Sequence, residues 1–169
     1  IKKEILDGKK VIAPFFLLSL IDDPALQRKA IETNIYSFHP KNNDLPLIDL
    51  YSKHSKIRIG YFSADFKIHP VSTLTAELYE VHNREHFELH AFSFGPDTKD
   101  EMNLRIKAGV DQFHDVESMS HMEIVNLARS LEIDIAVDLS GYTAKARTDI
   151  FAMSVACLLY TSPSPRDGL

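Results

Sequence analysis

Between Ser55 and Ala156 the chain alternates short apolar runs with longer segments of helical spacing, and this alternation restricts the fold more than any other feature. The runs "KIRIGYFS" (56–63), "FELHAFSF" (87–94), "QFHDV" (112–116) and "IDIAVDL" (133–139) are short, aromatic or β-branched, and read as strands. Between them, "PVSTLTAELYEVHN" (70–83), "DEMNLRIKAG" (100–109) and "SHMEIVNLARSLEI" (120–133) read as helices, and another is expected from about Arg147. Leu74, Leu78 and Val81 share a helical face and are expected to be its apolar side. Ser120 followed by Glu123 is a capping-box pattern. Strands alternating with helices predict an α/β class: a largely parallel, Rossmann-like sheet with helices on its faces.

Outside this region the pattern changes. Residues 1–54 read as helical and then irregular. Asp23-Pro24 starts a helix in which Leu26, Ala30, Ile31 and Ile35 share a face, and "HPKNNDLP" (39–46) is turn-rich. The segment 157–169, "CLLYTSPSPRDGL", breaks the alternation and ends in a Ser/Pro-rich stretch that would not fold alone. The chain opens on Ile1 rather than methionine and reads as a piece of something longer. Lysines before an apolar run near the start mimic a secretory leader. However, Glu4 and Asp7 sit in the basic region, no small-residue cleavage site follows, and the run from Val11 to Ile21 contains Pro14 and is too short to span a bilayer.

At 169 residues the chain can bury one main core, and 44% hydrophobic with 25% charged residues is ordinary for a globular protein. A formal net charge of -5 argues against nucleic acid as the main partner. No membrane association is expected. A single cysteine, Cys157, permits no intrachain disulfide, which fits a reducing compartment and a cytoplasmic location.

In open parallel sheets, ligands bind beyond the carboxyl ends of the strands. That rule selects 63–69, 93–97, 116–118 and 138–147. In the first window His69 precedes Pro70, a residue suited to the first helical position. The positive end of a helix favours a neutral imidazole, the form a general base needs. Asp65, four residues earlier, is placed to hold the ring in one tautomer or to carry protons itself. The bland alternative is a histidine that caps a helix and an aspartate that satisfies loop amides. In the last window Gly141 permits a tight turn, Tyr142 and Thr143 offer hydroxyls, and Arg147 could meet an anion, against the alternative of a plain strand-to-helix turn. Asp138, at a strand end, is either a phospho-acceptor or a loop cap. The remaining histidines (39, 54, 82, 86, 90, 114 and 121) read as solvated, and no metal is expected. His82 and His86 have ligand spacing, but the helix should end between them. No Walker loop and no G-x-G-x-x-G is present.

"KIRIGYFSADFKIHPVSTL", "FELHAFSFGPDTKDEMNLRI", "FHDV", "IDIAVDLSGYTAKAR" and "IFAMSVA" together resemble the catalytic region of O-GlcNAc transferases, including bacterial and SPINDLY-like members. "PFFLLSLIDDPALQRKA" resembles the segment that joins their tetratricopeptide (TPR) repeats to that region. The resemblance covers about residues 10–156. It implies the first Rossmann-like lobe of a two-lobed GT-B glycosyltransferase (55–156), preceded by a helical linker (1–54) and followed by an aberrant tail (157–169). Such enzymes move GlcNAc from UDP-GlcNAc to Ser/Thr hydroxyls of proteins, inverting and without metal or other cofactor, although some plant members use fucose. It further implies catalytic roles for His69 and Asp65, substrate contacts from Pro70, Ser72, Gly141, Tyr142, Thr143 and Arg147, and protein acceptors selected through upstream repeats. Departures exist. A histidine of animal members falls on Ala25. After Ala156 the family's Ala-Pro-Ile-Gln strand is replaced by a tail that reads as foreign sequence, so an unpaired sheet edge and a fragment inactive by itself are expected. A non-catalytic Rossmann-like binding or receiver-like module is the alternative.

Overall fold

The computed structural model describes residues 1–38, 45–48, 51, 54–143 and 145–161. Three helices open the chain: α1 (Lys2–Leu6), α2 (Pro14–Leu20) and α3 (Pro24–Phe38). Proline stands at the first position of α2, and Asp23 accepts the Leu26 N–H at the start of α3. These helices bury Ile5, Leu17, Leu26 and Ala30 in a small core of their own. The turn-rich stretch expected over 39–46 lies largely outside the described residues, and Ile35's side chain likewise.

The main lobe runs β1 (Ile57–Ser63), α4 (Pro70–Val81), β2 (Phe87–Ser93), α5 (Glu101–Gly109), β3 (Gln112–Asp115), α6 (His121–Ser130), β4 (Ile135–Asp138), α7 (Asp149–Ala152) and β5 (Leu158–Thr161). The five strands form one sheet in the order β3-β2-β1-β4-β5, every pair parallel. Side chains alternate across it. Ile59, Tyr61, Leu89 and Ala91 enter the core beneath α4 and α5, whereas Phe62, Phe92 and Ala136 enter the core beneath α6 and α7. The predicted helices form with their caps. Ser120 and Glu123 make the reciprocal capping box, and Asp100 caps α5 through the Asn103 N–H. No helix among the described residues is long and apolar enough to cross a membrane.

The structure corrects three expectations. First, α4 buries Ser72, Ala76 and Tyr79, while Leu74, Leu78 and Val81 face outward at 82%, 43% and 68% exposure. The small residues allow close approach to the sheet, and Tyr79 fills the space against Tyr61 and Phe66. Helical spacing marked a face but not the one turned inward. Second, residues 158–161 of the irregular tail pair in parallel with 135–138, so β4 is not left as an open edge. Backbone pairing needs no particular side chain, and Leu-Leu-Tyr is compatible with a strand. Third, His90 and His114 are not solvated. His90 is fully buried, and its Nδ1 lies 3.1 Å from His114 Nε2 while its Nε2 lies 3.2 Å from a Glu88 carboxylate oxygen. His114 also stacks on Phe92, 4.7 Å between ring centres, and Phe92 stacks on Phe62 at 4.4 Å. Phe62, Phe92 and His114 are register partners on adjacent strands, so the stack is a cross-strand ladder.

Burial, helped by the neighbouring His90, pushes His114 down from 6.5 to about 4, and burial also lowers His90. The folded lobe therefore binds fewer protons than the unfolded chain between these values. Stability contributed by the neutral pair is fully present above pH 6.5 and is lost as pH falls from 6.5 through about 4. Urea unfolding measured across that range should show this loss, and His114→Phe, which keeps the stack, should flatten it. An unchanged slope in the variant would assign the acid sensitivity to other groups.

Candidate active site

With β1 central, the chain winds outward to β2 and β3 on one side and to β4 and β5 on the other. The order reverses between β1 and β4. The loops leaving their carboxyl ends part there and leave a crevice, the usual ligand position in such sheets. An open cleft of about 270 Å³ occupies this place, lined by Asp65, Lys67, His69, Thr143 and Lys145. The first three come from the β1–α4 loop and the last two from the β4–α7 loop.

His69 is the N-cap of α4, and Pro70 holds the first helical position. The His69 Nδ1 lone pair accepts the Val71 N–H at 3.3 Å. In the neutral ring the proton is therefore on Nε2. Asp65 Oδ2 stands 3.8 Å from the same Nδ1, beyond hydrogen-bond range, so the expected tautomer lock by the carboxylate is instead made by the helix amide. His69 caps the helix, as its bland reading has it, and also lines the cleft; with Nδ1 taken by the cap, the nitrogen left for the cleft carries a proton to donate and not the free lone pair expected of a general base. Asp65 is mostly buried, and its Oδ1 lies 3.6 Å from Lys67 Nζ.

The second loop is an Asx-type turn. Asp138 Oδ1 accepts the N–H groups of Ser140 and Gly141 at 2.9 and 3.1 Å. Burial raises the Asp138 carboxyl above its ordinary value despite these bonds. Its capping role matches the second alternative drawn from sequence. Gly141 has φ +54°, a left-handed conformation that a side chain would strain. Tyr142 is partly exposed, its hydroxyl held protonated by burial and by Asp138. The expected helix near Arg147 begins at Asp149 and has one turn.

Of the sequence candidates, Asp65, His69 and Thr143 meet in the cleft. Ser72 does not reach it, being fully buried and donating its hydroxyl to the Asp65 carbonyl oxygen. Arg147 donates to the Val116 and Met119 carbonyls at 3.4 and 2.6 Å and lies over the Phe94 ring, so its guanidinium ties loops together. Pro70 acts through the helix start. Lys67 and Lys145 were not singled out from sequence, although both lie inside the windows that the crevice rule selects. Their charge at a strand-end loop was the available signal. The cleft holds two lysines against one carboxylate, on a chain whose net charge is -5. Among the described residues, no group of three or more His, Cys, Asp or Glu is placed to hold a metal ion.

The model of glycosyl transferase family 41 matches residues 33–161, well over half of the chain. The chain belongs to that family. A curated relative from Arabidopsis thaliana, named "Probable UDP-N-acetylglucosamine--peptide N-acetylglucosaminyltransferase SEC", is 38% identical over 101 residues, 60% of this chain and 10% of that protein. A UDP-N-acetylglucosamine–peptide N-acetylglucosaminyltransferase of Caenorhabditis elegans is 32% identical over 104 residues, 60% of this chain and 9% of its own length. Among solved structures, a mutant of the Thermobaculum terrenum O-GlcNAc transferase superposes with a TM-score of 0.72 at 29% identity, covering 82% of this chain and 27% of that one. The chain thus spans about a tenth of the curated relatives it matches. Its sheet is the Rossmann-like lobe expected of this glycosyltransferase fold.

The loop bearing Asp65 is held close to the end of β2. A methyl group at Gly95 would sit 1.9 Å from the Ala64 carbonyl oxygen, a backbone atom that cannot rotate away. Gly95→Ala should lower unfolding stability by about 1–3 kcal/mol and shift the amide resonances of residues 63–69. A variant with unaltered melting and spectra would show that the two loops are not in contact.

Proposed function

We propose that this chain is the first catalytic lobe of a protein O-GlcNAc transferase, with UDP-GlcNAc as donor and Ser/Thr hydroxyls of proteins as acceptors. The observation that carries the reading is the meeting of Asp65, Lys67 and His69 with Thr143 and Lys145 at the switch point of a family 41 lobe. In the reaction, the acceptor hydroxyl oxygen bonds to the anomeric carbon, the bond from that carbon to the diphosphate oxygen breaks, and the hydroxyl proton passes to a base, for which the cleft supplies the Asp65 carboxylate. Negative charge grows on the departing diphosphate. Lys67 and Lys145 supply positive charge in the cleft for it. His69 offers a donor at Nε2, and Asp65 is the carboxylate that lines the cleft. On this reading the segment 1–54, whose helices end at Phe38, joins the lobe to TPR repeats that select acceptors, and the protein works in the cytoplasm.

His69→Asn tests the assignment with little harm to the fold, because asparagine is a strong N-cap. In the full-length protein that carries this chain, transfer from UDP-GlcNAc should fall about 10²- to 10⁴-fold with melting nearly unchanged. Normal turnover in that variant would remove His69 from the mechanism and, with it, the main support for this cleft as the reacting site.

A further inference from the structure

The loop 64–69 carries three of the cleft's lining groups, Asp65, Lys67 and His69, but no regular structure. Its backbone is nonetheless held from a helix that supplies nothing to the cleft. Asp100 caps α5 with Oδ1, accepting the Asn103 N–H at 2.9 Å. Its other oxygen, Oδ2, reaches across to accept the Ile68 N–H at 3.0 Å and the Thr98 hydroxyl at 2.6 Å. Asn103, fully buried on the first turn of α5, donates from Nδ2 to the Phe66 carbonyl oxygen at 2.7 Å. Its own Oδ1 is buried with no hydrogen-bond partner. An unpartnered buried amide oxygen is costly, so an apolar side chain of similar size would be cheaper for the helix alone. What the asparagine adds is the bond its nitrogen makes to the loop.

We infer that Asp100 and Asn103 are positioning residues, which fix the peptide groups around Phe66 and Ile68 and so set where Asp65 and His69 stand in the cleft. Phe66 follows Asp65 directly and Ile68 precedes His69 directly. The two bonds therefore clamp the loop just inside Asp65 and His69, on either side of Lys67. Ser72, through the Asp65 carbonyl, supplies a third point from α4. Neither α5 residue lines the cleft. Their effect on the reaction rests on the transferase reading, whereas their effect on the loop does not.

Two substitutions separate positioning from folding. Asp100→Asn keeps one carbonyl oxygen for the helix cap but places an NH₂ group where Ile68 N–H and the Thr98 hydroxyl need an acceptor. Asn103→Leu keeps volume and helix propensity, removes the donor to Phe66 and also removes the orphaned oxygen. In the chain itself, both should move the His69 ring ¹⁵N resonances. Asp100→Asn should also speed Ile68 amide exchange about tenfold or more, while amides in the later turns of α5 keep their protection. In the full-length enzyme, both should lower kcat about 10- to 100-fold with a smaller change in KM for UDP-GlcNAc. His69 resonances that stay put in both variants would overturn the inference, as would a loss of activity that simply follows a loss of melting temperature. If the ring resonances move but no wild-type transfer is found at all, the positioning stands and the transferase reading fails.

Discussion

The backbone of β1 is paired in parallel register with β2 from Ile57 to Ser63 and with β4 from Ile59 to Phe62. A central strand of such a sheet has helices packed on both faces, and the burial of Ile59, Tyr61 and Phe62 follows from that. The same double pairing sends the chain outward in opposite directions from one line. The loops after β1 and β4 are adjacent in space, although β1 ends at Ser63 and β4 only at Asp138. A cleft at that point is a consequence of winding. Its chemistry is then set by which side chains the two loops carry.

Much of this architecture could be read from sequence. Four of the five strands, the three longer helices of the lobe, the Ser120 cap and the helix entrance at His69-Pro70 were all visible as local patterns, because caps and alternating runs are decided by neighbours in the chain. The windows that form the cleft were visible too, since the crevice rule needs only strand ends. What escaped depended on distant partners. Nothing local in "LTAELYEV" says that the alanine and tyrosine face the sheet and the leucines do not. His90 and His114 look like exposed polar residues until β2 and β3 pair and bring the rings together. Leu158 to Thr161 looks like an irregular tail until β4 offers an edge. Lys67 and Lys145 are ordinary lysines until the winding sets their loops side by side.

The site also shows how one residue type serves two levels at once. His69 closes the first turn of α4 with one nitrogen and leaves the other for the cleft. Asp138 and Arg147, both attractive as ligand-binding groups, are consumed by loop construction: the carboxylate organises the turn at Gly141, and the guanidinium spans from that loop to the end of β3. A charged residue beside a cleft is therefore informative only once its own bonds are counted. By that measure, the strongest claims on chemistry belong to Asp65, Lys67, His69 and Lys145.

The ladder of Phe62, Phe92 and His114 lies one residue short of the strand ends, at the level where β1, β2 and β3 give way to loops. A slip of one residue in any of these pairings would break the stack and turn the rings to the opposite face. The rings thus act as a datum: they level three strand ends against each other. Loops springing from a common height can exchange side chains without changing the distance they reach across. A lobe built this way can alter what it recognises at the rim while the floor beneath stays at one elevation.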